Sequence, residues 1–290
     1  MTDLVTRAQL EMLAETLDVA PERLGHLERL DVAQLRGLRE RISDVLFDSH
    51  AQTFARVSRL APLVPNALVA KLAETMVPPL VAGRAAGALG MAHPDRAAAV
   101  LSHLSARYMA DCAPYLDPRA IGVLAPVIPV ALLVDAANEL MRRKAYVTAV
   151  RFLQYASPEL VRDFERGIAD DVGLLMTAAL TDSAARLEEV IKLLPRRRVE
   201  AIVRSAGSGE EQLVAGISLL SRLDEQLRRE LAETFFNPLD EERIEWVWRT
   251  ATEHNAVPEL RTVVELLDEP LRHRVDLAGT ERPGVHGERE

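Results

Sequence analysis

Three groupings in this 290-residue chain have side chains suited to a site. Arg196-Arg197-Arg198 follows Pro195 at a helix start, where three cations oppose the positive end of the helix dipole. Arginine forks match carboxylates and phosphates, so the cluster is a candidate contact for an anion or an acidic partner; the alternative is a solvated first turn. Trp246 and Trp248 stand two apart on a helical segment and face different sides, flanked by Glu242, Arg243 and Glu245. A partly exposed Trp in that setting is a candidate protein-contact residue, and the alternative is packing between helices. His103, Asp111 and Cys112 are close in sequence, but two helical turns separate His103 from Asp111, so one short helix does not converge them. The plainer reading has His103 hydrogen-bonded near a helix end, Asp111 exposed and Cys112 as a small core residue. The binding candidates are therefore Arg196, Arg197, Arg198, Trp246 and Trp248, with no catalytic residue, metal ligand or cofactor assigned.

Other chemistry lacks its motifs. There is no GxxxxGK phosphate loop and no GxGxxG after a strand, and Gly207-Ser208-Gly209 lacks both the strand and the lysine. No HExxH and no His/Cys zinc spacing links the seven histidines, and no GxSxG elbow exists. Asp170 and Asp171 point in different directions on a helix, which suits an N-cap better than a hard-cation site. Arg142-Arg143-Lys144 ends a helix, where cations meet the negative dipole end.

The chain carries 35 Lys+Arg against 44 Asp+Glu, net −9, so no global field draws it to nucleic acid. Residues 1–145 hold 16 charges of each sign, which places the whole excess in the second half as a solvated acidic face or a docking surface for a basic partner. The single cysteine precludes an intramolecular disulfide and fits a reducing, cytoplasmic setting. The N-terminus has no basic region before an apolar core, so no secretory signal is expected. The longest uncharged stretch, Ala120 to Val134, is too short to span a bilayer and contains Pro126 and Pro129; it reads as buried helix ends meeting at a turn.

Helical periodicity runs almost throughout, and strand signals are nearly absent. Arg7–Leu17, Pro21–Leu30 and a helix capped by Asp31 make an N-terminal group over residues 1–60, the third helix extending to Leu60 unless Asp48-Ser49-His50 interrupts it. Residues 61–206 form a repeat region. Helices there open at Pro65, Pro79, Pro94, Pro118, Pro129 and Pro158, each followed after three residues by an apolar side chain: Leu68, Ala82, Ala97, Ile121, Leu132 and Val161. Later come Leu72, Ala85, Leu101, Leu124, Ala136 and Phe164, which predicts one buried stripe per helix. Residues 61–140 carry only eleven charges, as a covered core or an open apolar groove would. Val172–Leu194 reads as one or two helices. After the turn at Gly207–Gly209, residues 207–279 form a C-terminal helical subdomain with Gln212–Leu223, Glu225–Phe236, Glu242–Thr252 and Pro258–Leu271, and 280–290 is expected to be a disordered tail.

The stretch His93–Pro129, HPDRAAAVLSHLSARYMADCAPYLDPRAIGVLAPVIP, resembles the N-terminal helical domain of MgtE-type magnesium transporters, which is similar in turn to the helical repeats of the flagellar motor switch protein FliG. The resemblance spans roughly residues 60–170 and implies an all-α, right-handed superhelical array of short helices. In that family the domain sits on CBS domains and a membrane channel and helps sense magnesium; this chain shows neither a CBS-like βαβ pattern nor a spanning segment, so only the fold is carried over. The expected function is a non-enzymatic cytoplasmic scaffold or adaptor that binds another protein. The alternative is a regulatory domain holding a small apolar or anionic ligand, or Mg2+, in the charge-poor middle.

Overall fold

The computed structural model describes residues 4–58 and 65–280, and among these every regular element is helical and none is a strand. Contacts divide the chain into two units, Met1–Gly173 with Leu180–Leu194, and Leu174–Ala179 with Pro195–Glu290. The first holds α1 (Leu4–Leu17), a 3-10 turn (Pro21–Leu27), α2 (Val32–Ser58), α3 (Asn66–Met76), α4 (Pro79–Ala92), α5 (Pro94–Leu101), α6 (Ala106–Cys112), a second 3-10 turn (Ala113–Tyr115), α7 (Pro118–Leu124), α8 (Val130–Arg142), α9 (Tyr146–Leu153) and α10 (Pro158–Gly167). Then come α11 (Asp171–Ala179), divided between the units, and α12 (Ala184–Leu193). The second unit adds α13 (Arg196–Ser205), a 3-10 turn (Ala206–Ser208), α14 (Glu210–Ser221), α15 (Glu225–Phe236), α16 (Glu241–Glu253), α17 (Val257–Val264) and α18 (Glu269–Thr280).

All six marked prolines open helices: Pro79, Pro94, Pro118 and Pro158 sit in the first turn of α4, α5, α7 and α10, while Pro65 and Pro129 are the N-caps of α3 and α8. Proline fits there because its missing N–H would have no intrahelical acceptor. Side chains complete other starts. The Gln34 N–H donates to Asp31 Oδ1 at 2.8 Å while the Asp31 N–H donates to Gln34 Oε1 at 3.2 Å, a capping box that starts α2. The Gly173 N–H donates to Asp170 Oδ1 at 2.9 Å.

Several boundaries differ from the sequence reading. The Pro21 segment is a 3-10 turn over Pro21–Leu27 and not an α-helix, with Gly25 within it. Helix α2 passes through Asp48-Ser49-His50 unbroken; Asp48 pairs with Arg119 at 3.1 Å and leaves the backbone of its own helix intact. Its expected extension to Leu60 lies outside the described residues, as does the expected tail at 280–290 except for Thr280, which is the last residue of α18 and not part of a tail. The predicted helix Pro258–Leu271 is two, because Asp268 caps α18 by accepting the Leu271 N–H at 3.1 Å, with Pro270 in the first turn.

Three apolar clusters of the first unit each join elements close in the chain. Leu10, Leu13, Ala14, Leu24 and Leu35 join α1 to the start of α2; Ala97, Ala98, Ala120, Leu124 and Ile128 join α5 to α7; Ala156, Leu160, Val161 and Val190 join α10 to α12. Helix α4 buries glycines instead of a large apolar stripe. A Cβ on Gly83 would stand 2.5 Å from the Cys112 carbonyl oxygen, and one on Gly87 2.8 Å from Asp117 Cβ. The second 3-10 turn and α7 thus lie directly on the α4 backbone.

A polar layer crosses the first unit. The Asp182 side chain, 1% exposed, accepts from Arg36 Nε at 2.7 Å, Gln9 Nε2 at 3.0 Å and Gln154 Nε2 at 3.2 Å. Buried Arg151 donates to the carbonyls of Met12 and Pro114 and pairs with Glu15 at 3.0 Å; Thr148 Oγ1 donates to Glu15 at 3.0 Å. Burial holds Arg151 down at about 10 and raises Glu15 despite its cationic neighbour. These bonds tie α1 to α2, α9 and the turn before α12.

The second unit centres on α14, which packs on α15, α16 and α17. Leu213, Ile217, Leu220, Phe235 and Phe236 line an apolar cavity of about 20 Å³, at most the room for a single water. The Arg274 side chain donates to the Phe236 carbonyl at 3.0 Å and ties α18 to the end of α15.

Two sets of substitutions test this account by urea unfolding. Asp182→Ala leaves three donors without their acceptor and lowers stability by about 2–4 kcal/mol, whereas Arg142→Ala, removing an exposed ion pair, changes it by less than about 1 kcal/mol. Gly83→Ala costs about 1–3 kcal/mol through its clash with backbone. Gly37→Ala on α2, whose Cβ would meet only an Arg41 side-chain tip at 3.7 Å, leaves stability unchanged or raises it by up to about 1 kcal/mol.

Candidate functional site

The three arginines occupy the first turn of α13, whose N-cap Pro195 supplies no side-chain cap. Arg196, 88% exposed, pairs with Glu200 at 3.2 Å, and Arg204 pairs with the same carboxylate at 3.4 Å. Arg197 is exposed and Arg198 half-buried. An open groove of about 510 Å³ runs beside them, with Arg196 and Arg204 on the α13 wall and Glu230, Glu233 and Thr234 on the α15 wall. One acid shared between two arginines leaves the α13 wall net positive and facing a negative one. Sequence reading found the basic wall and missed the acidic one, because the two lie some thirty residues apart and meet only through helix packing.

The two tryptophans are both half-buried and differ in role. Trp248 Nε1 donates to the Val275 carbonyl at 2.9 Å, and its ring fills the space where a Cβ on Gly279 would stand at 2.7 Å. It holds α16 to α18. Trp246 carries the Arg243 guanidinium 4.5 Å from its ring centroid, and Arg243 also donates to the Gly207 carbonyl. The ring that was a contact candidate is thus stacked by a residue of its own helix.

His103, Asp111 and Cys112 do not converge. His103 is exposed between α5 and α6, while Asp111 pairs with Arg143. Burial, with smaller contributions from Asp111 and Glu74, pushes the Cys112 thiol up to about 12, against the opposing hydrogen bond from Tyr108. A thiol so held is protonated at physiological pH and a poor nucleophile. Of the basic run at 142–144, Arg142 and Arg143 both bind Glu139 and pull its carboxyl down to about 2, while Lys144 adopts φ 57° just past the end of α8. Among the described residues, no group of three or more His, Cys, Asp or Glu side chains could hold a metal ion.

The surface without charge is where the structure departs most from expectation. Among the described residues, eight of the eleven exposed large hydrophobic side chains lie between Leu68 and Val130, inside the charge-poor region. The stretch Ala120–Val134 does turn between two helices, but only Ala120, Ile121, Leu124 and Ile128 are buried. Val123, Pro126, Val127, Pro129, Val130 and Ala131 are all exposed, as are Leu68 and Leu72, which were expected in a buried stripe. Periodicity identifies an apolar face; it does not say that another helix covers it. No family model, curated protein or solved structure matches this chain.

The thiol assignment has a direct check. Alkylation of Cys112 in the native protein at pH 8 is expected to run on the order of 1000-fold slower than in the urea-unfolded chain, because a rise from the ordinary value of 9.0 to about 12 removes that share of thiolate. Equal rates in the two states would contradict the burial described.

Proposed function

We propose that the chain is a non-enzymatic helical-repeat protein that serves in the cytoplasm as a scaffold or adaptor, binding another protein through the corner between α7 and α8. The observation that carries this reading is the exposed patch Val123, Pro126, Val127, Pro129, Val130 and Ala131, in a stretch with no charge between Arg119 and Asp135. Contiguous apolar surface of this kind costs solubility, and in soluble proteins it marks a surface that another molecule covers. The proline-opened helices of the first unit bury small cores against near neighbours, which supports a right-handed superhelical array as the framework that displays the patch. None of the described helices is long and apolar enough to cross a membrane, which favours a protein partner over insertion.

The test is site-specific photo-crosslinking in cells from positions 123 and 127, with Glu188 on α12 as a control position. The expected result is one discrete protein adduct from both patch positions, abolished by Val130→Asp and absent from position 188. No adduct, or the same adducts from all three positions, overturns the reading. Val130 is 41% exposed, so its substitution leaves the core intact, and an unchanged thermal melt confirms this.

A further inference from the structure

The charges at the two ends of the α7–α8 patch select the kind of segment that covers it, an inference that rests on the function proposed above. Arg119 and Val123 are four apart on α7, so Arg119 stands one helical turn before the patch. Three carboxylates hold this single cation: Asp117 at 2.9 Å, Asp48 at 3.1 Å and Asp44 at 3.3 Å. Asp117 is buried, whereas the Asp44 and Asp48 side chains on α2 are 55% and 71% exposed. Arg41, one turn before Asp44, turns its guanidinium back toward Gly37, where a Cβ would meet Nη1 at 3.7 Å. Three acids against one arginine leave this end of the patch net negative. At the other end Asp135 is exposed, four residues after Ala131 on α8, and makes no ion pair among the described residues. Tyr155 extends the patch: a Cβ on Gly122 would meet its ring at 3.7 Å, and the residue is 41% exposed. Burial raises its phenol pKa, Arg39 opposes the rise, and Glu40, Asp117 and Asp44 add to it, which sets the ring beside the same acids.

We propose that the patch binds a basic amphipathic segment of another protein, with apolar side chains over Val123, Val127 and Val130 and lysine or arginine at both ends. One end of the segment meets Asp44 and Asp48, and the other meets Asp135. The apolar centre supplies most of the binding, while the acids at the rim set specificity and the rate of encounter. The same charges argue against the other occupants of an apolar surface. In a two-fold pair with a second copy, each end of the patch would meet negative charge, whichever end it faced. An anionic lipid surface would be repelled at both ends for the same reason.

Fluorescence anisotropy of the full chain with two labelled peptides of about sixteen residues tests this: one of leucine and lysine in an amphipathic helical pattern, and a twin with glutamate in place of every lysine. The lysine peptide is expected to bind at least about tenfold tighter than its twin, a preference that narrows between about 50 and 500 mM salt. Neutralising the rim with Asp44→Asn, Asp48→Asn and Asp135→Asn weakens it by about tenfold, and so does Val123→Gln with Val127→Gln. Glu241→Gln, Glu242→Gln and Glu245→Gln change the net charge equally on exposed residues of α16 and leave binding within about twofold. An unchanged thermal melt shows that each variant is folded. Equal affinity for the two peptides, no binding, or equal loss in the α16 variant overturns the proposal. So does a dimer, or co-sedimentation with phosphatidylglycerol vesicles, that Val123→Gln with Val127→Gln abolishes. Photo-crosslinking from position 127 separates this inference from the function it rests on: an adduct that persists in the Asp44, Asp48 and Asp135 variant overturns the basic partner and leaves the docking surface standing, and no adduct in the native chain overturns both.

Discussion

The Asp182 carboxylate, shut off from water, organises the first unit. Its acceptance of Gln9, Arg36 and Gln154 brings together side chains from α1, α2 and the end of α9, segments far apart in the chain. Beside it Arg151 reaches the Met12 and Pro114 carbonyls. A buried ion costs several kcal/mol of desolvation unless its bonds are made, so these groups tolerate one arrangement of their helices and penalise others. Alanine and leucine stripes alone would permit helices to slide or rotate; the polar layer removes that freedom. Arg119 does similar work further along, with its fork on buried Asp117 and its remaining donors on Asp44 and Asp48 of α2.

Much of the architecture was legible in the residues. Prolines marked helix starts because only there is a missing N–H harmless, and Asp31 and Asp170 capped helices because short polar side chains reach free backbone donors. What could not be read was partnership. The stripe of α3, like that of α7, begins three residues after a proline, yet Ile121 and Leu124 are buried while Leu68 and Leu72 face water. The difference lies in which helices happen to stand beside each, and spacing along one helix does not encode that. The same holds for the groove beside α13, whose acidic wall belongs to another helix, and for Trp246, whose flanking arginine was visible but not its place above the ring.

The low charge density of residues 61–140 left two readings open, a sealed interior or an open apolar surface. The structure answers in part with both. Ala97, Ala120 and Leu124 are sealed, while the corner at Val127 and the face of α3 are open. Charge is missing from the buried helices because ions there would lack water, and, on the function proposed above, from the exposed patches because a partner must displace water from them cheaply. These are different constraints that leave the same mark on composition.

Helix α4 carries a consequence for the order in which the chain assembles. Each of its glycines lowers intrinsic helix stability by about 1 kcal/mol relative to alanine, and Gly83, Gly87 and Gly90 all lie within fourteen residues. An isolated segment of that composition is a coil. Its helical form exists only once the Ala113–Tyr115 turn and α7 have settled onto its backbone, so α4 condenses with its neighbours and not before them. Helix α4 is therefore a cooperative element that exists only together with its neighbours, and amide exchange in α4 reports the opening of the assembly around it.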